Sequence, residues 1–249
     1  MKVTVTAIYG CGECVAPPDW YTSGLPRPYR LYYVLGGEAH YTLGGEKKRL
    51  LADHFYFFPS SAPFNVEQNQ GDRLNHLYFD FMMTPTVVST APMCCSPDGH
   101  SLFPLLLDLL RNCIREYRYE HHHELFDTLK SALEAFLSLF LEVASPENTM
   151  SEDIVKALEY IEGNYAKDIS VKRIAELLYL DEDYFIKKFK AAVGITPYAY
   201  IKNLRMSVTK ELRHSGLSLK DAAASAGFKY SSSYCRALSK QTPKQKVDH

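Results

Sequence analysis

Two stretches near the C-terminus decide the fold: "ISVKRIAELLYL", residues 169–180, and "LSLKDAAASAGF", residues 217–228. They align at a constant offset of 48 residues, which places Ser170 opposite Ser218. Each stretch opens with a serine that suits a helix N-cap and continues with apolar residues at helical spacing. Self-similarity of this kind indicates one supersecondary unit that is used twice.

A second helix is predicted after each stretch. In the first copy it is "DEDYFIKKFKAAVG", with Asp181 as the N-cap and Gly194 as the stop. In the second copy it lies in "YSSSYCRALSK", where Tyr234 takes the place of Phe185 after one inserted residue. A short helix, a tight turn and a second helix form a helix-turn-helix unit, whose second helix enters the major groove of DNA.

One longer helix joins the two units. It is predicted to begin at Pro197 and to end before Gly216. About 17 helical residues span ~26 Å, and successive major-groove segments lie ~34 Å apart. The chain is therefore expected to read two adjacent groove segments. The second copy lacks the closing glycine of the first, so we expect it to be the less ordered and less discriminating one.

Charge is divided unevenly along the chain. The net charge is −1 for all 249 residues, but residues 169–249 carry 15 Lys and Arg against 7 Asp and Glu, a net charge of +8. Residues 1–168 carry 13 Lys and Arg against 22 Asp and Glu, a net charge of −9. A basic half of this kind favours a polyanionic partner. No apolar run reaches the ~18–20 residues of a membrane span, so a cytoplasmic protein without a membrane partner is expected.

The first part of the chain is predicted to be a β-barrel or sandwich. Runs such as "RLYYVLGG" and "LNHLYFDFMM" are rich in strand-forming residues and are spaced about ten residues apart. Two amphipathic helices are predicted at about 101–118 and 122–144. The fold class is thus a two-domain α+β protein, with a β-barrel that carries a helical appendage and an all-α C-terminal domain. The expected segments are 1–100, 101–146 and 147–249, with helix-turn-helix units at about 169–196 and 217–243.

Residues 151–243 resemble the DNA-binding domain of the AraC/XylS family of transcription regulators. The matching stretches are "IAELLYL", "YFIKKFKAAVGITPYAYI", "LRMSVTKEL" and "DAAASAGF". The N-terminal half resembles the cupin-like sensor domain of the same family, through "RLYYVLGG", "FYFFPSSAPF" and "HLYFDF". The resemblance implies a regulator that is controlled by a small molecule, with a carbohydrate or related metabolite as effector, double-stranded DNA as partner and RNA polymerase as a further partner. The broad apolar faces of the two helices at 101–144 suit packing on a second subunit, so a homodimer is expected, with packing on the barrel as the alternative.

Candidate DNA contacts follow from the two predicted recognition helices. Lys187 and Arg236 are the strongest candidates for reading bases, since both can donate to guanine O6 and N7. The acids at the start of the first recognition helix either accept from cytosine N4 or only stabilise the helix dipole. The full set is Lys172, Glu182, Asp183, Ile186, Lys187, Lys190, Lys220, Ser231, Ser232, Cys235, Arg236 and Lys240. Other lysines, Lys188, Lys202 and Lys229 among them, are expected to contact phosphates.

Polar and aromatic residues on the predicted strands are candidates for an effector site, because a small barrel can enclose one ligand. They are Trp20, Tyr33, His40, Tyr41, Asn65, His76, Tyr78 and Asp80. His76, Tyr78 and Asp80 alternate along one strand and share a face. Ordinary packing is the alternative interpretation for each residue.

Two other functions remain open. A cupin-type metalloenzyme would need an H-x-H pair with a carboxylate and a further histidine, and the sequence has no H-x-H; no metal, cofactor or catalytic residue is predicted. A thiol redox sensor would use Cys11 and Cys14, but the prolines that follow disfavour an activating helix there, and the segment is expected to be an N-terminal arm.

Overall fold

The computed structural model describes residues 2–18, 20, 28–43, 45–60, 65–89, 91–120, 123–144, 151–214 and 216–239. The chain divides between Ser151 and Glu152 into two compact units. The first unit holds all the described strands and two helices, and the second unit is helical.

The first unit contains two antiparallel sheets. Its strands are β1 (Thr4–Val15), β2 (Tyr29–Gly36), β3 (Ala39–Leu43), β4 (Glu46–Arg49), β5 (Phe55–Phe58), β6 (Val66–Gln68), β7 (Asn75–Thr84) and β8 (Met93–Cys95). The larger sheet has the order β1-β7-β2-β5-β8 and the smaller one the order β4-β3-β6. A 3-10 turn, Pro97–Gly99, follows β8.

The two faces of the larger sheet bury different cores. Leu31 and Tyr33 on β2 belong to a cluster that includes helical residues such as Phe136. Tyr32 and Val34 on the same strand belong to a second cluster that includes residues of the smaller sheet. Because neighbouring residues of a strand point to opposite faces, the sheet separates a helix-covered core from an interior between the sheets.

The N-terminal segment forms a full strand, although the sequence suggested only an arm. The strand β1 pairs with β7 over its length. Arg111 donates two hydrogen bonds to the Glu13 carboxylate, at 2.8 and 2.9 Å. A Glu134 carboxylate oxygen accepts from the Val5 N–H at 2.8 Å. The Glu134 contact thus satisfies one backbone donor of this edge strand, and the Arg111–Glu13 pair joins the strand to α1.

Two helices cover the outer face of the larger sheet: α1 (Phe103–Glu120) and α2 (His123–Val143). Both were predicted, at boundaries within two residues of those observed. The buried face of α2 includes Leu133, Phe136 and Phe140, each fully buried. On α1, Leu105 and Leu109 are 66% and 42% exposed although they lie one turn apart on one face.

The second unit contains six described helices: α3 (Glu152–Asn164), α4 (Val171–Leu177), α5 (Glu182–Val193), α6 (Pro197–His214), α7 (Leu219–Ser225) and α8 (Ser231–Ser239). Ser170 and Ser218 cap α4 and α7, each accepting a backbone N–H three residues on at 3.1 Å. Asp181 caps α5, and Gly194 ends that helix in the left-handed conformation.

The predicted fold class is confirmed, with a sheet-rich first unit and two helix-turn-helix motifs, α4–α5 and α7–α8, joined by α6. Among the described residues, no helix combines the length and the apolar character that a membrane crossing requires.

Candidate functional site

The first recognition helix, α5, is held by one apolar face. Phe185 and Phe189 are fully buried, and Phe189 packs edge-on against Tyr200 of α6 at 5.7 Å between ring centroids. The opposite face is turned to solvent and holds the predicted DNA contacts: Glu182, Asp183, Lys187 and Lys190 are exposed, and Ile186 is half-buried.

Two adjacent lysines of α5 differ in their surroundings. Lys187 is exposed and takes part in none of the ion pairs found among the described residues. Lys188 donates to the Asp153 carboxylate of α3 at 2.5 Å and lies 5.8 Å from the centre of the Tyr184 ring. Lys188 is therefore a weaker candidate for a phosphate contact than Lys187, because its charge is already paired within the domain.

The second recognition helix, α8, buries Tyr234 and Ala237. Ser232, Cys235 and Arg236 are exposed, and Ser231 is half-buried. Leu238 was expected on the core face but is 46% exposed; Ala237, one position earlier, faces the core instead. Lys240, and with it the shortened end of the second unit, lies outside the described residues.

The first helices of the two motifs present equivalent lysines. Lys172 and Lys220 are the second residues of α4 and α7, and both are exposed. Their equivalence follows from the 48-residue offset of the two serine caps. Both motifs therefore carry a cation at the same position, in addition to those of the recognition helices.

Backbone contacts hold the second motif against the loop that enters the first. Gly227, in the turn between α7 and α8, has φ +87°, and a Cβ atom there would lie 2.7 Å from the Ala166 carbonyl oxygen. Arg205 of α6 donates to the carbonyls of Tyr165 and Lys167, at 2.7 and 2.8 Å. The turn of the second motif thus lies close to the loop before α4, and Arg205 joins α6 to the same loop.

The turn of the first motif is built differently. Tyr179, which is 48 residues before Gly227, has φ 56° and a side chain that is 96% exposed. The left-handed conformation costs an L-residue about 1–2 kcal/mol. Both turns therefore contain a residue with positive φ: a strained tyrosine in the first copy and an unstrained glycine in the second.

The interior of the first unit is lined with aromatic rings around His76. His76 is almost fully buried, and its ring centre lies 4.5 Å from that of Tyr32, 5.7 Å from Tyr78 and 6.1 Å from Trp20. Asp80, two residues beyond Tyr78, pairs with Arg30 across the sheet at 2.9 Å. Tyr41 of the smaller sheet packs against the same cluster.

Burial keeps His76 uncharged. Desolvation and the nearby Arg30 guanidinium lower the pKa of His76 to about 4, against a weaker opposing contact with the Leu74 backbone. Its buried Nδ1 has no hydrogen bond of good geometry to a described residue. Burial likewise raises the pKa of Tyr41. Apart from the Arg30–Asp80 ion pair, the interior therefore presents neutral hydrogen-bonding groups near neutral pH.

Two predicted lining residues lie elsewhere. Tyr33 faces the helices, and its hydroxyl donates to Asp53 at 3.1 Å. His40 alternates with the inward-facing Ala39 and Tyr41, so its side chain points away from the cluster. Asn65 precedes β6 and is half-buried; its carbonyl accepts from the Thr42 N–H at 3.0 Å. Arg30 and Tyr32 were not predicted from the sequence, since only the strand register shows which face they share with His76.

The alternative functions find little support in the geometry. Cys11 and Cys14 lie three residues apart on one strand, and so point to opposite faces. Three extended residues separate their Cα atoms by ~10 Å, beyond the reach of a disulfide. The folded strand therefore excludes a disulfide between these two cysteines. Among the described residues, no group of three or more His, Cys, Asp or Glu side chains is arranged to hold a metal.

Comparisons with known proteins agree with this architecture. A family model described as "Helix-turn-helix domain" matches residues 174–244. The "Uncharacterized HTH-type transcriptional regulator YbfI" of Bacillus subtilis (strain 168) is 24% identical over 219 residues, covering 82% of this chain and 78% of that protein. The "Lactose operon transcription activator" of Staphylococcus xylosus is 25% identical over 241 residues, covering 88% and 82%.

A solved structure shows the same fold over nearly the whole chain. The structure of unsaturated fatty acid-bound ToxT from Vibrio cholerae strain SCE256 superposes with a TM-score of 0.54 at 11% identity, covering 96% of this chain and 90% of that one. At this identity the likeness concerns the fold alone. The helix-turn-helix match and the two relatives that align along most of the sequence make the chain similar to DNA-binding transcription regulators of the AraC/XylS type.

Proposed function

We propose that the protein binds specific DNA sites through α5 and α8 and that a small neutral molecule in the interior around His76 controls this activity. The observation that carries the DNA part is the duplicated motif with an exposed basic residue on each recognition helix, Lys187 and Arg236. A cytoplasmic location and contact with RNA polymerase follow from the family and form part of the proposal.

The geometry supports reading of two successive major-groove segments. The helix α6 has 18 residues, which corresponds to ~27 Å, and the groove repeat is ~34 Å. The two recognition helices lie at opposite ends of this rod in sequence order. Lys187 and Arg236 are the proposed base contacts, while Lys172, Lys190 and Lys220 are proposed to contact phosphates.

Adjacent lysines provide a matched test of base reading. Lys187→Ala is expected to cost about 1–3 kcal/mol of binding free energy on an upstream fragment of the protein's own locus and to relax specificity there. Lys188→Ala is the control, because Lys188 is paired with Asp153. Fluorescence anisotropy with labelled duplexes measures both. Equal losses for both variants, or equal loss for Lys187→Ala on random DNA, would contradict base reading by Lys187.

For the effector, the charge of the interior favours a neutral, hydroxyl-rich ligand such as a carbohydrate or related metabolite. Among the described residues around His76, the cation is Arg30, and Asp80 already pairs with it. A fatty acid carboxylate would therefore find no uncompensated cation among the described residues of this cluster. Aromatic rings with hydroxyl groups, such as Tyr32, Tyr41 and Tyr78, offer stacking surface and hydrogen bonds. The relative named for a lactose operon is in keeping with this choice.

A thermal-shift screen tests the effector class. A ligand that binds only the native state raises the melting temperature, because it stabilises that state. At a ligand concentration one hundred times Kd, the stabilisation is about 2.7 kcal/mol. Neutral sugars are expected to raise it, and His76→Phe is expected to abolish the rise. A rise with long-chain fatty acids and none with any neutral sugar would contradict the proposed ligand class.

The proposed homodimer uses the exposed leucines of α1. Leu105 and Leu109 share one face of the helix, and Leu102 lies just before it, 45% exposed. An apolar stripe on a helix is a common means of association between copies. Leu105→Glu with Leu109→Glu is expected to shift the particle mass in light scattering from dimer to monomer. Ser131→Glu on the exposed side of α2 adds charge elsewhere and should leave the mass unchanged. A monomeric wild type at all concentrations would contradict the proposal.

A further inference from the structure

A groove of about 640 Å³ lies in the second unit, within the helix-turn-helix assembly. Val171 at the start of α4, Tyr198 and Lys202 of α6, and Ser233 of α8 all line it. The groove thus borders the first motif, the joining helix and the second motif at once. It lies outside the exposed faces of α5 and α8 that were described above as base-reading surfaces.

The charge of this groove is mainly positive. Its charged lining residues are Lys167, Asp168, Lys202, Arg205 and Lys229. Two of the cations have acceptors within the protein: Arg205 is bound to two carbonyls, and Lys167 donates to the Asn164 side chain at 2.8 Å. Lys202 and Lys229 take part in none of the ion pairs formed by described residues.

The groove lies beside the base-reading face of α8. Ser233 precedes Arg236 by three residues, so the two side chains are neighbours on the helix surface. Tyr234 and Ala237 form the buried side, and the groove therefore lies along one flank of the base-reading face. A helix in the major groove has phosphate backbone along its flanks. This flank faces α6 and the loop before α4, in the direction of the first motif.

We propose that this groove holds the phosphate backbone that runs between the two major-groove segments, with Lys202 and Lys229 as its phosphate contacts. The proposal rests on DNA binding by both motifs and deepens it, because it assigns a backbone site outside the two recognition helices. The proposed occupant is double-stranded DNA, because the groove flanks the base-reading face of α8 and because Lys202 and Lys229 add positive charge to its lining. Asp168 is the one carboxylate among the described residues of the lining, and it opposes this occupant.

Salt dependence measures phosphate contacts directly. Each phosphate that a cation neutralises contributes about 0.9 to the slope of log K against log salt on B-DNA. Lys202→Gln and Lys229→Gln are each expected to make this negative slope shallower by about 0.9, and the double variant by about 1.8. The duplex has a random sequence and is about 40 base pairs long. Lys210→Gln is the matched control, an exposed lysine of the same helix that does not line the groove.

Removing the opposing carboxylate should have the reverse effect. Asp168→Asn is expected to raise affinity for the same duplex about two- to threefold at about 0.1 M salt, since a like charge several ångströms from a phosphate is removed. Glu159→Gln on the exposed side of α3 is the control for a general change in charge. Circular dichroism checks that every variant keeps the helical content of the wild type.

Different experimental results would overturn the groove assignment and the proposed function. Unchanged salt slopes for Lys202→Gln and Lys229→Gln, or a loss equal to that of Lys210→Gln, would overturn the groove assignment. These results would also be expected if an acidic protein segment occupied the groove, and they leave sequence-specific binding intact. A wild type that prefers no upstream fragment over random DNA would overturn the proposed function, while slope losses on random DNA would still support the groove.

Discussion

Gly227→Ala is expected to destabilise the second unit by about 2–4 kcal/mol. The residue has φ +87°, a conformation that costs an L-residue about 1–2 kcal/mol. The added Cβ would lie 2.7 Å from the Ala166 carbonyl oxygen and 2.8 Å from the Ala166 Cα. Both are backbone atoms, and relief of such overlap costs about 1–3 kcal/mol more. The smaller entropy of the unfolded alanine chain offsets about 0.4–1 kcal/mol.

Gly194→Ala separates the two causes. Gly194 has φ +84°, but a Cβ added there would have no heavy atom of a described residue within 4 Å, so only the backbone cost of about 1 kcal/mol is expected. Urea unfolding followed by far-ultraviolet circular dichroism reports the helices. Trp20, the single tryptophan, lies in the first unit, and its fluorescence serves as an internal reference that neither variant should shift. Equal destabilisation by the two variants would show that the close approach to Ala166 costs nothing, and would refute the larger value for Gly227→Ala.

Three further predictions concern the same two units. Tyr179→Gly should stabilise the second unit by about 1 kcal/mol in urea unfolding, because it relieves the left-handed strain at a residue that is 96% exposed; a loss of stability would mean that the tyrosine ring contributes to the fold. Ser170→Ala and Ser218→Ala should each cost about 1 kcal/mol, since both hydroxyls cap helices at the same place in the repeat; a large difference between them would contradict their equivalence. Lowering the pH from about 6.5 towards 4 should destabilise the first unit, by about 2 kcal/mol at pH ~5, because the folded pKa of His76 is lowered to about 4 while the unfolded chain still takes up a proton near 6.5. The contribution of His76 to the stability of the first unit is therefore complete above pH ~6.5 and is lost as the pH falls towards 4. Unfolding followed by Trp20 fluorescence measures this loss of stability, and the His76→Phe variant should not show it.

Capping residues in the sequence predict where most helices of the two motifs begin and end. Ser170, Ser218, Asp181 and Gly194 act within four residues of themselves as caps and stops, so their effect is visible in the sequence. Repetition at a fixed offset then reinforced each assignment. The helix boundaries of both motifs follow from these short-range interactions.

Non-local pairing explains what the sequence did not show. Tyr33 and Tyr32 alternate on β2, but both faces of that strand are buried, so hydrophobic alternation cannot tell which face lines the interior. Lys187 and Lys188 look equivalent until Asp153, 35 residues from Lys188 in sequence, is brought beside one of them. The pairing of Arg30 with Asp80 likewise depends on the register between β2 and β7.

Recognition of particular DNA sequences through two motifs is the property on which the proposed function depends. It is tested by the affinity of the full chain for an upstream fragment of its own locus and for random duplexes of equal length, across a salt series. We expect a preference of at least about a thousandfold for one upstream site, reduced by Lys187→Ala and by Arg236→Ala but not by Lys188→Ala. Equal affinity for upstream and random duplexes at every salt concentration would contradict sequence-specific recognition by this chain.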